Sequence, residues 1–578
     1  MSSRPGDTWP PRPTRLDWLA AAFVVVAAIA FAFIRVQAVN LPWHLATARL
    51  AHETGRWMSR NTFSYTFPDH PLFQQYPAFQ GALYLVLRHF GWGGLSVVCG
   101  VGWTLVLLLF VRWSGPFGEG AILHAFWALA LYALWRRMML RPDLFSMIAF
   151  GLELIAIDVY ARERKVAAVL LGVPLAHLLW VNSHQLWPLS LVVQAVFIVH
   201  LLLLRTRLFP RDEAPPALGP ALGALALSCA LTFATPLGAR IIWGPLRTAA
   251  SLSVFREHVA EFQRIWKMPL ELGLAVFTGA PAAWALWRAR RRVDPFDVLL
   301  WLLSLALVAS AVRGLMFFGV ISVAVFQRAW ARCREAGEPF VPGVGPAARR
   351  GLGAIGFALT TLLAGNAVYH RWIRAPLTLG GTQPGLGRSI GDWGESMTAF
   401  LRASAPRGHL MNIGPAVGDL VILDVPGIPV FVDSRLETYP VDFLREVLDA
   451  DADDASLSAL LARYGVQWIA AEHAQPKIRA RVVHLLDAGW APVYVDSSYI
   501  VLVRDAPENA SYIATHRIDP RRAAPADLVT APLSLRAQQR GRFSRLMLGL
   551  GASDRAEEQR RAAMAEAGAD GAAAFERP

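Results

Sequence analysis

The chain alternates long apolar runs with short, arginine-bearing connectors. Runs long enough to cross a bilayer fall near 18–36, 92–112, 119–135, 143–160, 166–183, 187–205, 217–236, 271–288, 296–312, 314–331 and 351–369. This pattern predicts about eleven transmembrane helices. Between the first two runs lies Asn40 to Gly91, too polar to span. Its parts Trp43–Leu50 and Pro77–Phe90 have helical periodicity with one apolar face, which predicts helices lying in the membrane interface. The stretch between them, with Asn61-Thr-Phe-Ser-Tyr-Thr, reads as an ordered loop.

After Trp372 the pattern changes. Residues 405–505 mix β-like runs (Val421–Val425, Ile428–Val432, Val466–Ala471, and the pair Ala491–Val495/Tyr499–Val503) with helical stretches near 441–448, 457–464 and 477–488. That alternation predicts a small α/β domain. The expected organisation is a helical module over 1–372 with outer-loop helices in 41–91 and 237–269, a linker over 373–404, the α/β domain over 405–505, and an Ala/Arg-rich, partly disordered tail over 506–578.

Composition agrees with a membrane protein. The chain has 578 residues, 54% hydrophobic and 17% charged, against about 25% charged in soluble domains. The net charge of +13 does not point to nucleic acid, because the basic residues sit in connectors, where they act as orientation signals. An N-terminus inside the cell places Arg15, Arg162, Arg164, Lys165, Arg205 and Arg288 in cytoplasmic connectors. An odd number of spans then puts the α/β domain on the extracytoplasmic side. Three cysteines, Cys99, Cys229 and Cys333, offer neither a disulfide framework nor a thiolate metal site.

Polar residues in the outer connectors break the expected pattern. Arg136, Arg137 and Arg141 precede Pro142-Asp143, and Arg313-Gly314 sits at a tight turn between two runs. Arginine near the membrane plane calls for a partner, and its planar fork matches phosphate oxygens. Snorkelling or pairing with Asp143 is the bland reading of the same residues. Asn182-Ser-His184-Gln185 forms a second polar knot between apolar runs, where a lone His is more often structural than catalytic. Leu252–Trp266 reads as an amphipathic helix with Glu257 and Glu261 on one face; Glu261 is an acid/base candidate or a solvated residue. Asp433 and Arg435 follow a β-like run, a place for ligands in α/β sheets or for a structural ion pair.

The order Trp43-His-Leu-Ala-Thr, Phe63-Ser-Tyr-Thr, Arg141-Pro-Asp-Leu-Phe-Ser146, Trp180-Val-Asn-Ser-His184, Thr235-Pro-Leu-Gly238, Glu261-Phe-Gln, Arg313 and Phe431-Val-Asp-Ser-Arg435 resembles bacterial members of the GT-C glycosyltransferase superfamily. Relatives include protein O-mannosyltransferases and the lipid A aminoarabinose transferase. The resemblance implies transfer of a sugar from a polyprenyl-phosphate donor to a cell-envelope acceptor, on the outer face of a bacterial inner membrane, with membrane lipids as surroundings. The donor phosphate would lie at Arg137, Arg141 and Arg313. His44, Asp143 or Glu261 would activate the acceptor, and Asn40, Trp43, Tyr65, Asn182, His184, Asp433 and Arg435 would line the cleft.

The chain departs from the family pattern where acids are expected. It carries Asn40, Asn61, and Gln74/Gln75 or Pro77 at those positions. An amide neither accepts a proton from a hydroxyl nor holds a divalent metal as a carboxylate does. No cofactor is indicated, and a divalent metal finds no supporting ligand set. The alternative is a catalytically degenerate relative that binds a lipid-linked ligand or scaffolds envelope assembly. A transporter is disfavoured because the spans read as lacking buried acids.

Overall fold

A computed structural model describes residues 15–73, 75–115, 121–206, 214–250, 252, 256, 259–336, 346–374, 382–391, 393–450, 453–529 and 533–567. The chain divides into two compact units. The first comprises Met1–Ile34, Gln75–Ala82 and Gly94–Trp372; the second comprises Arg35–Gln74, Leu83–Gly93 and Ile373–Pro578.

The first unit is helical. Its elements are α1 (Arg15–Ala32), the parts of α3 (Pro77–Ser114) within its bounds, α4 (Ala121–Leu134), α5 (Pro142–Glu163), α6 (Val173–Val181), α7 (Pro188–Leu203), α8 (Leu218–Leu231), α9 (Trp243–Ala250), α10 (Pro269–Arg288), α11 (Pro295–Ser310), α12 (Leu315–Glu335) and α13 (Pro346–Val368). Five helical stretches are long and apolar enough to cross a membrane: Pro77–Ser114, Pro142–Glu163, Pro269–Arg288, Val312–Cys333 and Gly351–Ile373. The other six apolar runs fall on shorter helices, among them Ala168–Val181, Pro188–Leu203 and Leu218–Leu231. The protein is a multi-pass membrane protein. The separate helix and span expected at 77–90 and 92–112 are two helices that meet at Gly91, whose φ of 61° and ψ of −164° leave the helical region. A π-helical turn, Ala168–Gly172, leads into α6. A side chain at position 172 would meet the Ala156 Cβ at 3.0 Å, so glycine lets α5 approach closely there.

The second unit contains α2 (Leu41–Thr54) and a four-stranded sheet of order β1-β2-β4-β3. β1 (His409–Ile413) is parallel to β2 (Val466–Ala471); β3 (Ala491–Val495) and β4 (Ile500–Val503) complete it in antiparallel fashion. The sheet is buried along nearly its whole length, so its strands read as continuous apolar runs. The accompanying helices are α14 (Glu395–Ser404), α15 (Pro415–Asp424), α16 (Val441–Ala450), α17 (Asp454–Arg463), α18 (Pro476–Asp487) and α19 (Ala510–His516).

Three features differ from the sequence reading. Val421–Val425, expected as a strand, lies largely in α15, which opens with Pro415 and is buried from Val417 to Leu423; a short apolar run does not distinguish a buried helix from a strand. Ile428–Val432 stays outside the sheet, and Val430 instead bridges Ser64 of the first loop. That loop packs with the C-terminal segment, because Arg49 donates to the carbonyls of Ile422 and Leu423 at 3.2 and 2.9 Å. Beyond residue 506, α20 (Leu533–Gly549) and α21 (Ser553–Ala567) form a hairpin that buries Phe543, Leu546, Met547, Ala556 and Ala563. Residues 568–578 lie outside the described residues.

Candidate functional site

In the helical unit, chain geometry gathers charge at one place. Arg141 precedes α5 in extended conformation, Pro142 starts the helix, and Asp143 lies in its first turn, where the helix dipole favours a carboxylate. The turn Ala260–Phe262 carries Glu261, and Val312–Gly314 carries Arg313. Val312 donates its N–H to the Gln263 carbonyl at 2.8 Å, which ties the two turns together. Glycine is required at 314, since a Cβ there would come within 2.4 Å of the Leu307 backbone.

The side chains then converge. Arg137, only 9% exposed, bonds Asp143 at 3.1 Å and Glu261. Arg141 reaches the other Glu261 oxygen at 3.4 Å. The Arg313 charge acts on Asp143, Arg137 and Glu261, and its guanidinium lies 5.0 Å from the Phe262 ring centre. Among the described residues Arg313 forms no ion pair, and its buried Nε has no hydrogen-bond partner. His184 accepts or donates through Nδ1 at 2.6 Å from the Ser146 hydroxyl, with Nε2 3.9 Å from Asp143 Oδ1. Tyr76 lies beside it, ring centres 6.1 Å apart.

Burial pushes the His184 imidazole down to about 3 despite the pull of Asp143, so it is neutral at physiological pH. Burial works against the Glu261 carboxylate, yet Arg137, Arg141 and Arg313 hold it down to about 2. Three arginines therefore face two carboxylates, leaving one positive charge in excess. Such a cluster can hold an anion. Held that low, the His184 imidazole is a poor base and serves as a neutral hydrogen-bonding group; Glu261 is a weak base with its oxygens occupied.

The other sequence candidates lie elsewhere. Asn182 spends its amide on the Leu178 and Ala234 carbonyls, at 3.1 and 3.0 Å. Asn40, Trp43, His44, Tyr65, Asp433 and Arg435 belong to the second unit. Asn40 precedes α2 in left-handed conformation, φ 60°, and His44 is 3% exposed and stacked on Trp43 at 3.5 Å. Tyr65 stacks on His409 at 4.3 Å. Arg435 binds Asp433 through Nε at 2.8 Å and Nη2 at 2.6 Å. The same Nη2 reaches Asn61 Oδ1 at 2.7 Å, and the Tyr439 hydroxyl donates to Asp433 at 2.8 Å. Of the remaining first-loop acids, Glu53 is exposed and Asp69 pairs with Arg60 on the surface. Of the helix expected over Leu252–Trp266, Glu257 and most of 252–258 lie outside the described residues, and the described remainder forms the short turns Ala260–Phe262 and Ile265–Lys267 instead.

Sequence reasoning missed Ser146 and Tyr76, which only the fold brings to His184. It also missed intramembrane acids. Glu153 is wholly buried in α5, and Glu271 and Asp297 are 4% and 1% exposed, so the reading of spans without buried acids does not hold. Acids within a hydrophobic run are the signal that would have found them. Among the described residues no group of three or more His, Cys, Asp or Glu could hold a metal ion.

This arrangement of helices defines a GT-C-like fold. The chain is similar to the archaeal oligosaccharyltransferase AglB of Archaeoglobus fulgidus, in complex with an inhibitory peptide and a dolichol-phosphate. The TM-score is 0.53 at 12% identity, over 82% of this chain and 72% of that one. The apo oligosaccharyltransferase of the same organism gives 0.50 at 11% identity, over 85% and 75%. ArnT of Cupriavidus metallidurans bound to undecaprenyl phosphate gives 0.44 at 13%, over 86% and 99%. No protein-family model and no curated protein matches the chain. At these identities the likeness concerns the fold.

Proposed function

We propose that the protein is a glycosyltransferase that takes a sugar from a polyprenyl-phosphate donor and passes it to a cell-envelope acceptor at the outer face of a bacterial inner membrane. The N-terminus would be cytoplasmic and the C-terminal α/β unit extracytoplasmic. The observation that carries this reading is the unbalanced cluster: Arg137 and Arg141 share Asp143 and Glu261, and Arg313 lacks a carboxylate partner among the described residues. A phosphate would fill that place, with Arg141 and Arg313 as its ligands and Arg137 ordering the carboxylates. The dolichol-phosphate held by the similar archaeal enzyme supports a lipid-linked donor. Asp143, with its Oδ1 3.9 Å from the neutral ring of His184, is the candidate base for the acceptor hydroxyl, and His184 positions it.

A second reading, a non-catalytic relative that binds a lipid-linked ligand, is favoured by the first loop. Asn40 and Asn61 replace the acids implied by the family resemblance, and Asn61 Oδ1 is spent on Arg435. Incubating the purified protein with radiolabelled polyprenyl-phosphate sugars and membrane extract separates the two. Transfer abolished in Arg313→Ala and Asp143→Asn and kept in Asn40→Ala supports the transferase. Donor binding without transfer, whatever the donor sugar, supports the second reading.

A further inference from the structure

Within the helical unit a second polar assembly lies along α5, separate from the arginine cluster. At 1.5 Å per residue, Glu153 stands about 15 Å from Asp143 along the helix axis. It is 0% exposed, as are His177 of α6 and Ser190 of α7. Four helices contribute to one chain of hydrogen bonds. Ser190 Oγ lies 3.1 Å from Glu153 Oε1, and His177 Nδ1 lies 3.0 Å from the same hydroxyl. His177 Nε2 is 2.9 Å from Thr232 Oγ1, at the end of α8. Thr232 in turn reaches the Ser228 carbonyl at 3.0 Å, and Gln194 donates to Ser190 at 3.2 Å.

Counting donors limits how protons can fill this chain. If Thr232 gives its one proton to the Ser228 carbonyl, its oxygen must accept from His177 Nε2–H. A neutral imidazole then has a bare Nδ1, which takes the Ser190 proton. Ser190 in turn accepts from Gln194 and from Glu153, so Glu153 is a carboxylic acid. Moving one proton from Glu153 to Ser190, as the Ser190 proton passes to Nδ1, gives carboxylate and imidazolium without adding or removing an atom. A third filling, with Thr232 turned toward His177, leaves a lone carboxylate.

In a site without exposure the neutral filling costs least, the ion pair more, and the lone anion most. Among the described residues, a charge here is met by hydrogen bonds from Ser190 and Gln194 and by no opposite charge. Around Glu153, α6 brings His177, α7 brings Ser190 and Gln194, and the end of α8 brings Ser228 and Thr232, while α3 and α12 present Leu109, Phe110 and Phe317 to α5. Among the described residues no charged side chain acts on Glu153.

The assembly also has an approach. A cavity of about 250 Å³ is lined by Ile157, Asp158, Phe197, His200 and Arg328, among others. Ile157 and Phe197 follow Glu153 and Gln194 by four and three residues, one helical turn on the same face. The cavity thus ends one turn from the buried acid.

We propose that Glu153, Ser190 and His177 form an intramembrane proton-binding site, carrying one transferable proton at Glu153 and exchanging it through the Asp158-lined cavity. The full chain in lipid nanodiscs, studied by infrared spectroscopy, tests this. The wild type gains a protonated-carboxyl C=O band that is lost in Glu153→Gln, changes frequency in Ser190→Ala, and shifts in D2O. Ile157→Trp, which narrows the approach, slows that D2O shift. If Glu153→Gln does not fold, glutamate-labelled protein supplies the assignment, because only the Glu153 band responds to Ser190→Ala. Absence of such a band, meaning an ionised Glu153, overturns the proposal. So does a band that never shifts in D2O, which makes the network a sealed structural contact.

Discussion

Two of the arginine-carboxylate knots among the described residues, one in each unit, are built to opposite ends. In the second unit Arg435 and Asp433 have 0% exposed side chains and are joined by two hydrogen bonds, with Asn61 and Tyr439 bonded to the pair. Phe63 covers the guanidinium at 4.9 Å. In the helical unit the carboxylates are shared out before every arginine is served, and Glu261 keeps 28% of its side chain exposed. Opposed charges that are fully enclosed hold a fold together and have no net charge left for a ligand. A cation left without a counter-charge has capacity to bind. The same residue pair thus reads as architecture in one place and as a site in the other.

The sharpest way to break this contrast is to remove one partner of the closed knot. Arg435→Ala leaves Asp433 buried and uncompensated, which costs about 3–5 kcal/mol. The second unit should lose cooperative melting or become protease-sensitive at temperatures where the wild type is intact; wild-type-like melting would refute its architectural role.

Next comes a pH effect confined to the same unit. Burial and the neighbouring Asp433 push the Asp419 carboxyl up to about 8, and one Asp419 oxygen has no partner. The folded state therefore binds this proton more tightly than the unfolded chain. The stabilisation is full below the unfolded value of about 4 and is lost as pH rises toward 8. Melting temperature should fall between pH 5 and roughly pH 8, and Asp419→Asn should flatten the slope. Asp496, raised to about 7 by burial and Asp527, leaves a residual slope of the same sign.

In the open cluster, Arg313→Ala should leave melting nearly unchanged and weaken polyprenyl-phosphate binding. Losing a charge-assisted contact of about 1.5–3 kcal/mol corresponds to roughly ten- to a hundredfold in affinity. Equal losses of stability and binding would make Arg313 structural.

The smallest effect sharpens the role of Glu261. As a partly exposed counter-ion it competes with phosphate for Arg141, at about 0.2–1 kcal/mol. Glu261→Gln should tighten phosphate binding by roughly two- to fivefold. Tighter binding with unchanged transfer assigns it the counter-ion role, whereas abolished transfer assigns it to the chemistry.

The periodicity of apolar residues specified the helices and the arginines that interrupt them, because segment length and burial in lipid are properties of local sequence. It also set the strands at 466–471 and 491–495. What local pattern could not specify was partnership. Glu261 lies more than a hundred residues from Arg137, and nothing around either residue encodes the turn contact that joins them. Asp433 and Arg435 looked like the end of a strand facing a ligand; their closure by Asn61 depends on a loop hundreds of residues earlier. Val421–Val425 became helix because α15 is buried on all sides, which erases the period that separates the two structures. Glu153, His177 and Ser190 look like isolated blemishes in apolar runs until three helices bring them together. Sequence determined which segments avoid water. Tertiary structure alone decided which charges are matched and which is left over, since desolvation and pairing act through space.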